Sequence, residues 1–302
     1  MQKTLVVIAG PTAIGKTDLT IQLAKYFNTE IISADSRQIF KELTIGTAVP
    51  EPQQLSAVPH HFIQHKSIHD NYNASAYERD ALMKIEKLFH KYNVVFMTGG
   101  SGMYIEAVCS GIDDMPDIEV DIRQRATQLL ENEGKEALQK ILKDVDPDYY
   151  HETDINNPAR LIRGVEMYWQ TGQPFSLFRK KNRRVRDFNI VRIALDMDRD
   201  QLHQRINQRV DIMMNCGLLE EAKEVFPLKG LVPLKTVGYQ ELFEYFEEKI
   251  SLEDAIEFIK RNTRRYARKQ LSWFRRNKET EWFHPSEKEQ IISFIQKGLS
   301  DA

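Results

Sequence analysis

Gly10, Gly15, Lys16 and Thr17 follow the order G-x-x-x-x-G-K-[ST] within "GPTAIGKT", residues 10–17. This is the spacing of a phosphate-binding loop. Its backbone N–H groups and the N-terminus of the next helix form an anion cradle, and the lysine adds a point charge. The β-branched run "TLVVIA" leads in and the amphipathic pattern "DLTIQLAKYF" leads out, which is the strand-to-helix setting such a loop needs. Pro11, Thr12, Ala13 and Ile14 fill the positions between the glycines. The whole run from Gly10 to Thr17 is therefore the expected oligophosphate contact. The loop specifies the ligand class and leaves the reaction open.

A carboxylate near the phosphates would narrow the chemistry. Phosphate-loop hydrolases and kinases place a magnesium-directed Asp on a nearby strand. Here the run "NVVFMTGG" has Thr98, Gly99 and Gly100 at that place, and Asp35, in "SADSRQIF", ends a different strand. An acid at a strand's carboxyl end lies on the ligand side of an open sheet. Asp35 can there anchor a metal, act as general base, or cap the following turn. Ser101, in "TGGSGMY" (98–104), opens a helix at the same edge and can cap it or donate to a phosphate.

The third group is cationic. In the helical segment "IEFIKRNTRRYARKQLSWFRR" (256–276), Arg261, Arg264, Arg265, Arg268, Arg275 and Arg276 share one third of the circumference at ~100° per residue. Ile259, Tyr266, Ala267, Gln270, Trp273 and Phe274 take the opposite face, and no acid occurs between 261 and 278. A solvated face normally mixes signs, so an unmixed stripe reads as a phosphate-backbone surface. Arg160 and Arg163, with residues 179–186, offer a second basic surface.

These groups need a frame. Strands are expected at 4–9, 30–34, 93–98 and 187–197, with helices at 16–27, 74–92 and 101–110. That alternation predicts a parallel α/β sheet. From about 112 the pattern turns to charged helices, one beginning at Pro158 and stopping at Gly172. The fold class expected is α/β: a phosphate-loop NTPase-like parallel sheet core with an inserted all-helical domain. The core would comprise 1–111 plus 188–302, with a helical C-terminal part and one more strand at 280–284; the insertion would be 112–187. His60, His61 and His65 in "PHHFIQH" lack partners at a metal spacing and read as loop and edge strand.

Composition sets outer bounds. Hydrophobic residues make up 41% and charged residues 28% of 302, and the formal net charge is −2, so an RNA surface must be a local patch. No apolar stretch approaches the ~20 residues of a membrane span, and no signal pattern occurs; the cytoplasm is the expected compartment. Cys109 and Cys216 stand far apart and read as small buried apolar residues, with neither a zinc site nor a disulfide implied.

Taken with "ISADSRQIF" (32–40), "IGTAVP" (45–50), "TGGSGMYIEAV" (98–108), "NPARLIR" (157–163), "TVGYQEL" (236–242) and "RKQLSWFRR" (268–276), the phosphate loop carries a resemblance. The sequence is similar to the bacterial tRNA dimethylallyltransferases (tRNA isopentenyltransferases) along nearly its whole length. The resemblance implies transfer of a dimethylallyl group from dimethylallyl diphosphate to N6 of the adenosine 3′-adjacent to the anticodon. Residues 10–17 would then hold the diphosphate, with Mg²⁺ on Thr17, and the family's base falls on Asp35, with Ser101 beside it in the catalytic set.

Family contacts to the tRNA anticodon stem-loop map onto Asp35, Ser36, Arg37, Gln38, Ser101, Arg123, Ala159, Arg160, Leu161, Ile162 and Arg163. They continue through Lys235, Gly238, Tyr239, Gln240, Arg264, Arg268, Lys269, Gln270, Trp273 and Arg275. A monomer with no membrane partner is expected, its helical insertion touching tRNA. The chain departs from the family at Ser101 (commonly Thr), Phe40 (commonly Tyr) and Gln240 (usually Arg), changes bearing on affinity or rate. Two other classes are carried forward: an adenylate isopentenyltransferase acting on a free nucleotide, and a phosphate-loop kinase. Neither needs the arginine stripe.

Overall fold

Buried β-branched runs set side by side make a sheet covered on both faces. In the computed structural model, which describes residues 2–113, 115–180 and 184–300, the chain runs β1 (Thr4–Ala9), α1 (Lys16–Tyr26), β2 (Ile31–Ser33), α2 (Pro52–Ala57), β3 (His60–His61), α3 (Ala74–Phe89), β4 (Val94–Gly99) and α4 (Gly102–Ser110). Three helices follow, α5 (Val120–Val145), α6 (Pro147–Glu152) and α7 (Pro158–Thr171). The chain then returns through β5 (Asn189–Leu195), α8 (Arg199–Asn215), α9 (Leu218–Val225), α10 (Tyr239–Phe246), α11 (Leu252–Phe274), β6 (Glu281–Phe283) and α12 (Lys288–Ser300). It divides into two compact units, one running to Ser110 and resuming at Val185, the other Gly111–Arg184. The later boundary falls three residues before the expected one.

All six strands are parallel, in the order β3-β2-β4-β1-β5-β6. The register pairs Ala9 with Gly99 on one side and with Ala194 on the other. Ser33 pairs with Thr98, so β1, β2, β4 and β5 all end at one edge. β1 is flanked by strands that follow it by about 90 and 185 residues. It is thus the point where the sheet's winding reverses, and ligands of open α/β sheets bind at the carboxyl ends of such strands. β1 and β4 are buried along their full length. Val6, Ile8 and Phe96 face one apolar layer with Leu19, Leu23 and Ile206, while Leu5, Val7 and Met97 face another with Tyr77, Ile85 and Ile105.

The strands expected at 4–9, 30–34, 93–98, 187–197 and 280–284 match β1, β2, β4, β5 and β6 to within two residues at each end. His60–His61 is the edge strand β3. The helix α2 was not anticipated: Pro52 stands in its first turn, and Glu51 and Gln54 close a capping box. Cys109 is buried as expected, but Cys216 is exposed, because it lies beyond the last turn of α8 and packs into none of the apolar clusters.

The inserted unit closes its own core around Leu138, Leu142, Tyr149, Leu161, Val165 and Phe175. Gly134, at φ 78°, breaks α5 into two helical pieces, and Gly172, left-handed at φ 70°, ends α7. Asp146 accepts from Tyr149 N at 3.1 Å and Ser176 N at 2.8 Å, tying α6 to the turn after α7. The unit's two ends meet. Gly111 is left-handed at φ 76°, and a Cβ there would stand 2.8 Å from the Arg184 side chain.

Candidate active site

The phosphate loop folds as its glycines require. Gly15, at φ 101°, is left-handed and forms the N-cap of α1. A Cβ at Gly15 would stand 3.3 Å from the Arg205 guanidinium, so a side chain is disfavoured by conformation and by space. Lys16 Nζ donates to Gly10 O at 3.0 Å and Pro11 O at 2.7 Å, lying back across the loop it serves. Ile14 is fully buried and offers only its backbone to a ligand. The loop is pinned from outside: Thr12 N donates to Gln270 Oε1 at 2.9 Å, and Gln270 Nε2 donates to Gly100 O at 2.9 Å. One amide from α11 thereby joins the loops after β1 and β4.

Desolvation pushes the Lys16 ammonium down to about 7; Asp35 works against that shift and the Arg209 cation adds to it. The unfolded chain then holds a proton that the folded chain has released between pH 7 and 10.5, so this group's contribution to stability rises with pH across that window. An arriving diphosphate reverses the balance, since its negative charge favours the ammonium. We expect calorimetric titration of an allyl diphosphate at pH 8, in buffers of differing ionisation heat, to show uptake of nearly one proton, ~0.9 if the free-state value is about 7. Uptake should vanish in Lys16→Met; zero uptake by the wild type would mean that the lysine is already charged.

Asp35 ends the segment after β2. Its Oδ1 accepts from Arg37 N at 2.9 Å and Gln38 N at 3.3 Å, the turn-capping arrangement. Among the described residues no hydrogen bond reaches Oδ2, so capping orients the carboxylate and leaves its second oxygen for chemistry. The Asp35 charge acts on Lys16, Arg209, Tyr104 and Tyr266, so these four groups lie within its electrostatic reach. Tyr104 stacks on buried Tyr77 at 4.2 Å, and burial raises its hydroxyl to about 12. Tyr266, expected on the apolar face of α11, is instead 43% exposed.

Ser101 is engaged with the turn that carries Asp35. Its Oγ accepts from Ser36 N at 2.8 Å and donates to Ser36 Oγ at 3.1 Å, so it braces the Asp35 turn. Thr17 lies in the first turn of α1. Among the described residues no group of three or more His, Cys, Asp or Glu could hold a metal. A magnesium ion, which accepts few protein ligands beside phosphate oxygens and water, would be compatible with the single hydroxyl of Thr17.

Two arginines absent from the sequence reading stand here. Arg205 and Arg209, one turn apart on α8, flank the loop: Arg205 lies against Gly15, and Arg209 is coupled to Asp35 and Lys16. Burial draws the Arg209 guanidinium below its ordinary value, against the pull of Asp35. The available signal was an i, i+4 arginine pair beside the buried face of Leu202, Ile206 and Val210.

The stripe on α11 is more heavily partnered than its own segment implied. Arg264 Nη1 donates to Asn207 at 2.5 Å, and Arg275 pairs with Asp196 at 2.7 Å. Arg261 lies over the Phe258 ring at 4.2 Å. Arg265, Arg268 and Lys269 remain exposed. Gln270 is 6% exposed and Tyr239 fully buried; Leu161 and Gly238 are buried as well, so all four positions are packed within the protein. Trp273 is half-buried, and Lys235 and Gln240 are exposed. Phe40, 2% exposed, lies in the core with Ile39 and Leu43.

On the inserted unit, Ala159 and Arg160 are exposed, while Ile162 and Arg163 are half-buried. Arg123 reaches Glu166 at 3.3 Å. In the basic stretch 179–186, Arg179 pairs with Glu152 at 3.1 Å, and positions 181–183 lie outside the described residues. Arg186, in the other unit, pairs with buried Glu78 at 2.7 Å and donates to the carbonyls of Ala107 and Val108. Arg186 secures the end of α4 and is lost to any RNA surface.

A family model described as IPP transferase matches residues 38–277. The chain belongs to the IPP transferase family. It is 49% identical over 301 residues to the tRNA dimethylallyltransferase of Christiangramia forsetii, covering 99% of this chain and 100% of that one. It is 46% identical to tRNA dimethylallyltransferase 1 of Bacteroides fragilis, over 98% and 99% of the two chains. The full-length tRNA isopentenylpyrophosphate transferase of Bacillus halodurans superposes with a TM-score of 0.72 at 33% identity, over 99% and 98% of the chains. A eukaryotic dimethylallyltransferase acting on tRNA superposes at 0.71 with 27% identity, over 90% of this chain and 69% of that one. The chain is therefore an enzyme of the tRNA-prenylating transferases. The chain shares its fold with these solved IPP transferases.

Proposed function

We propose that the chain transfers the dimethylallyl group of dimethylallyl diphosphate to N6 of the adenosine 3′-adjacent to the anticodon of tRNA, releasing diphosphate. The observation carrying this reading is the electrostatic coupling of Lys16, Arg209 and Asp35, two basic groups and one carboxylate with a free oxygen, beside the carboxyl ends of β1 and β2. The C1–O bond of the donor breaks and a C1–N6 bond forms. The electron pair leaves with the diphosphate, and the N6 proton passes to Asp35. An exocyclic adenine amine is a weak nucleophile, so an aligned acceptor for its proton lowers the barrier.

The cradle amides, Lys16, Arg205 and Arg209 stabilise charge as it grows on the leaving group. Magnesium bound through Thr17 and the diphosphate would add to that neutralisation. The target base must leave its stack to reach Asp35. A free-nucleotide enzyme would leave Arg268 and Lys269 without a role. The test is incubation with labelled dimethylallyl diphosphate and unmodified tRNA, followed by nucleoside analysis for N6-alkylated adenosine. Label on free adenosine monophosphate but none on tRNA would overturn the reading. Size-exclusion chromatography should show a monomer.

The exposed cations give a second check. Each lost phosphate contact lowers the slope of log affinity against log salt by ~0.7–0.9. The double change Arg268→Gln, Lys269→Gln should thus flatten tRNA binding by ~1.4–1.8. Both side chains are exposed, so thermal stability should hardly move. An unaltered slope would make this surface a solvated face.

A further inference from the structure

Glu221, on α9, is used as an acceptor to an unusual degree. Its Oε2 accepts from Thr44 N at 2.9 Å and Ile45 N at 2.8 Å; its Oε1 accepts from Gly46 N at 2.9 Å and the Tyr239 hydroxyl at 2.6 Å. Three consecutive amides on one carboxylate fix the backbone of 44–46. The fit is close, since a Cβ at Gly46 would stand 2.7 Å from the Tyr239 ring.

The next two residues of this loop face Gln38. Gln38 Nε2 donates to Thr47 O at 3.1 Å and Ala48 O at 2.8 Å. Two carbonyls claim both amide hydrogens, so the side chain cannot flip without setting its oxygen against them. Gln38 Oε1 is left as the unspent group, with no hydrogen bond to it among the described residues. The Gln38 backbone N–H meanwhile donates to Asp35 Oδ1 at 3.3 Å. Hydrogen bonds at either end of the 44–48 backbone thus link Glu221, through that backbone and Gln38, to the turn that carries the carboxylate.

We propose that Glu221 is a positioning residue for the acceptor base: through the 44–48 loop it holds the Gln38 amide with its oxygen available to a base N–H. An oxygen held this way accepts from an amino group and is repelled by a keto oxygen, so it favours adenine over guanine. The inference rests on the tRNA-prenylation reading above, because it needs a base at Asp35. It adds a residue from a helix that does not itself carry the site.

The test is a double-mutant cycle between Glu221→Gln and Gln38→Ala. Glutamine at 221 would turn an NH₂ toward backbone donors and release the loop. We expect kcat/KM for tRNA to fall ~10–100-fold, the effect of unpairing hydrogen bonds to a charged group, with the dissociation constant for dimethylallyl diphosphate unchanged. In a Gln38→Ala background the same change should cost less than ~3-fold, because coupled residues are not additive. A merely structural role would lower the melting temperature and give losses that multiply.

Should Glu221→Gln fail to fold, Tyr239→Phe removes one of the four donors. It should slow tRNA alkylation ~3–10-fold in the wild type and have almost no effect in Gln38→Ala. Multiplied losses in either cycle, or weakened diphosphate binding, overturn the proposal while the wild type still alkylates tRNA. A wild type that alkylates no tRNA overturns the reading beneath it as well.

Discussion

Asp35→Asn abolishes most transfer, with a single-turnover rate ~10²–10⁴-fold below wild type, while tRNA affinity is nearly unchanged. The asparagine oxygen can still accept from Arg37 N and Gln38 N, as Oδ1 does at 2.9 and 3.3 Å, so the turn keeps its form. What changes is the other atom. In place of an unpaired oxygen that can take a proton, the mutant presents an NH₂ donor to the amine of the base. The two roles of Asp35 are thereby separated within one residue. Rapid-quench measurement beside a tRNA dissociation constant checks this. A mutant alkylating at near-wild-type rate would leave Asp35 with the turn alone, and the proton would have to reach solvent directly.

Arg209→Gln should act on the donor and spare the RNA. Charge-assisted hydrogen bonds to a buried anion are worth ~1.5–3 kcal/mol, so KM for dimethylallyl diphosphate is expected to rise ~10–150-fold. A coupled effect identifies the cause. The Arg209 cation helps hold Lys16 down, so its removal lets the lysine regain its proton in the free enzyme. Proton uptake on diphosphate binding should therefore shrink in Arg209→Gln. A raised KM with unchanged proton uptake would place Arg209 beside the diphosphate but outside the electrostatic reach of Lys16.

The contrast between Lys16 and Arg209 shows what a linear sequence carries. The phosphate loop is legible because every part of its chemistry lies within eight residues, and its flanks report the strand and helix that aim it. Asp35 is legible for a similar reason, as an acid directly after a strand. Arg209 is not. Its task comes from α8 packing beside a loop nearly 200 residues earlier, and its i, i+4 spacing from Arg205 beside an apolar face is a local mark that many solvated arginines share. The stripe on α11 failed in the opposite way. Its freedom from acids holds only within one helix, while Asp196 after β5 and Asn207 on α8 approach from elsewhere. Gln270 left a readable sign, a polar residue on an apolar face, which in a close-packed interior implies partners. Those partners turned out to be the loops after β1 and β4.

The meeting of Gly111 with Arg184 bears on how the chain reaches this state during synthesis. When β4 has formed, β1 still has one open edge, and its second neighbour β5 lies beyond the whole insertion. A flexible connection of that length would add about 4 kcal/mol of closure entropy to the pairing. Once the insertion has closed its own core, its first and last residues are already in contact, and most of that entropy has been lost before β5 docks. For the sheet, the intervening helices then count as a short turn. Their number and length can change with little effect on strand pairing, whereas separating the two residues where they meet would restore the long loop.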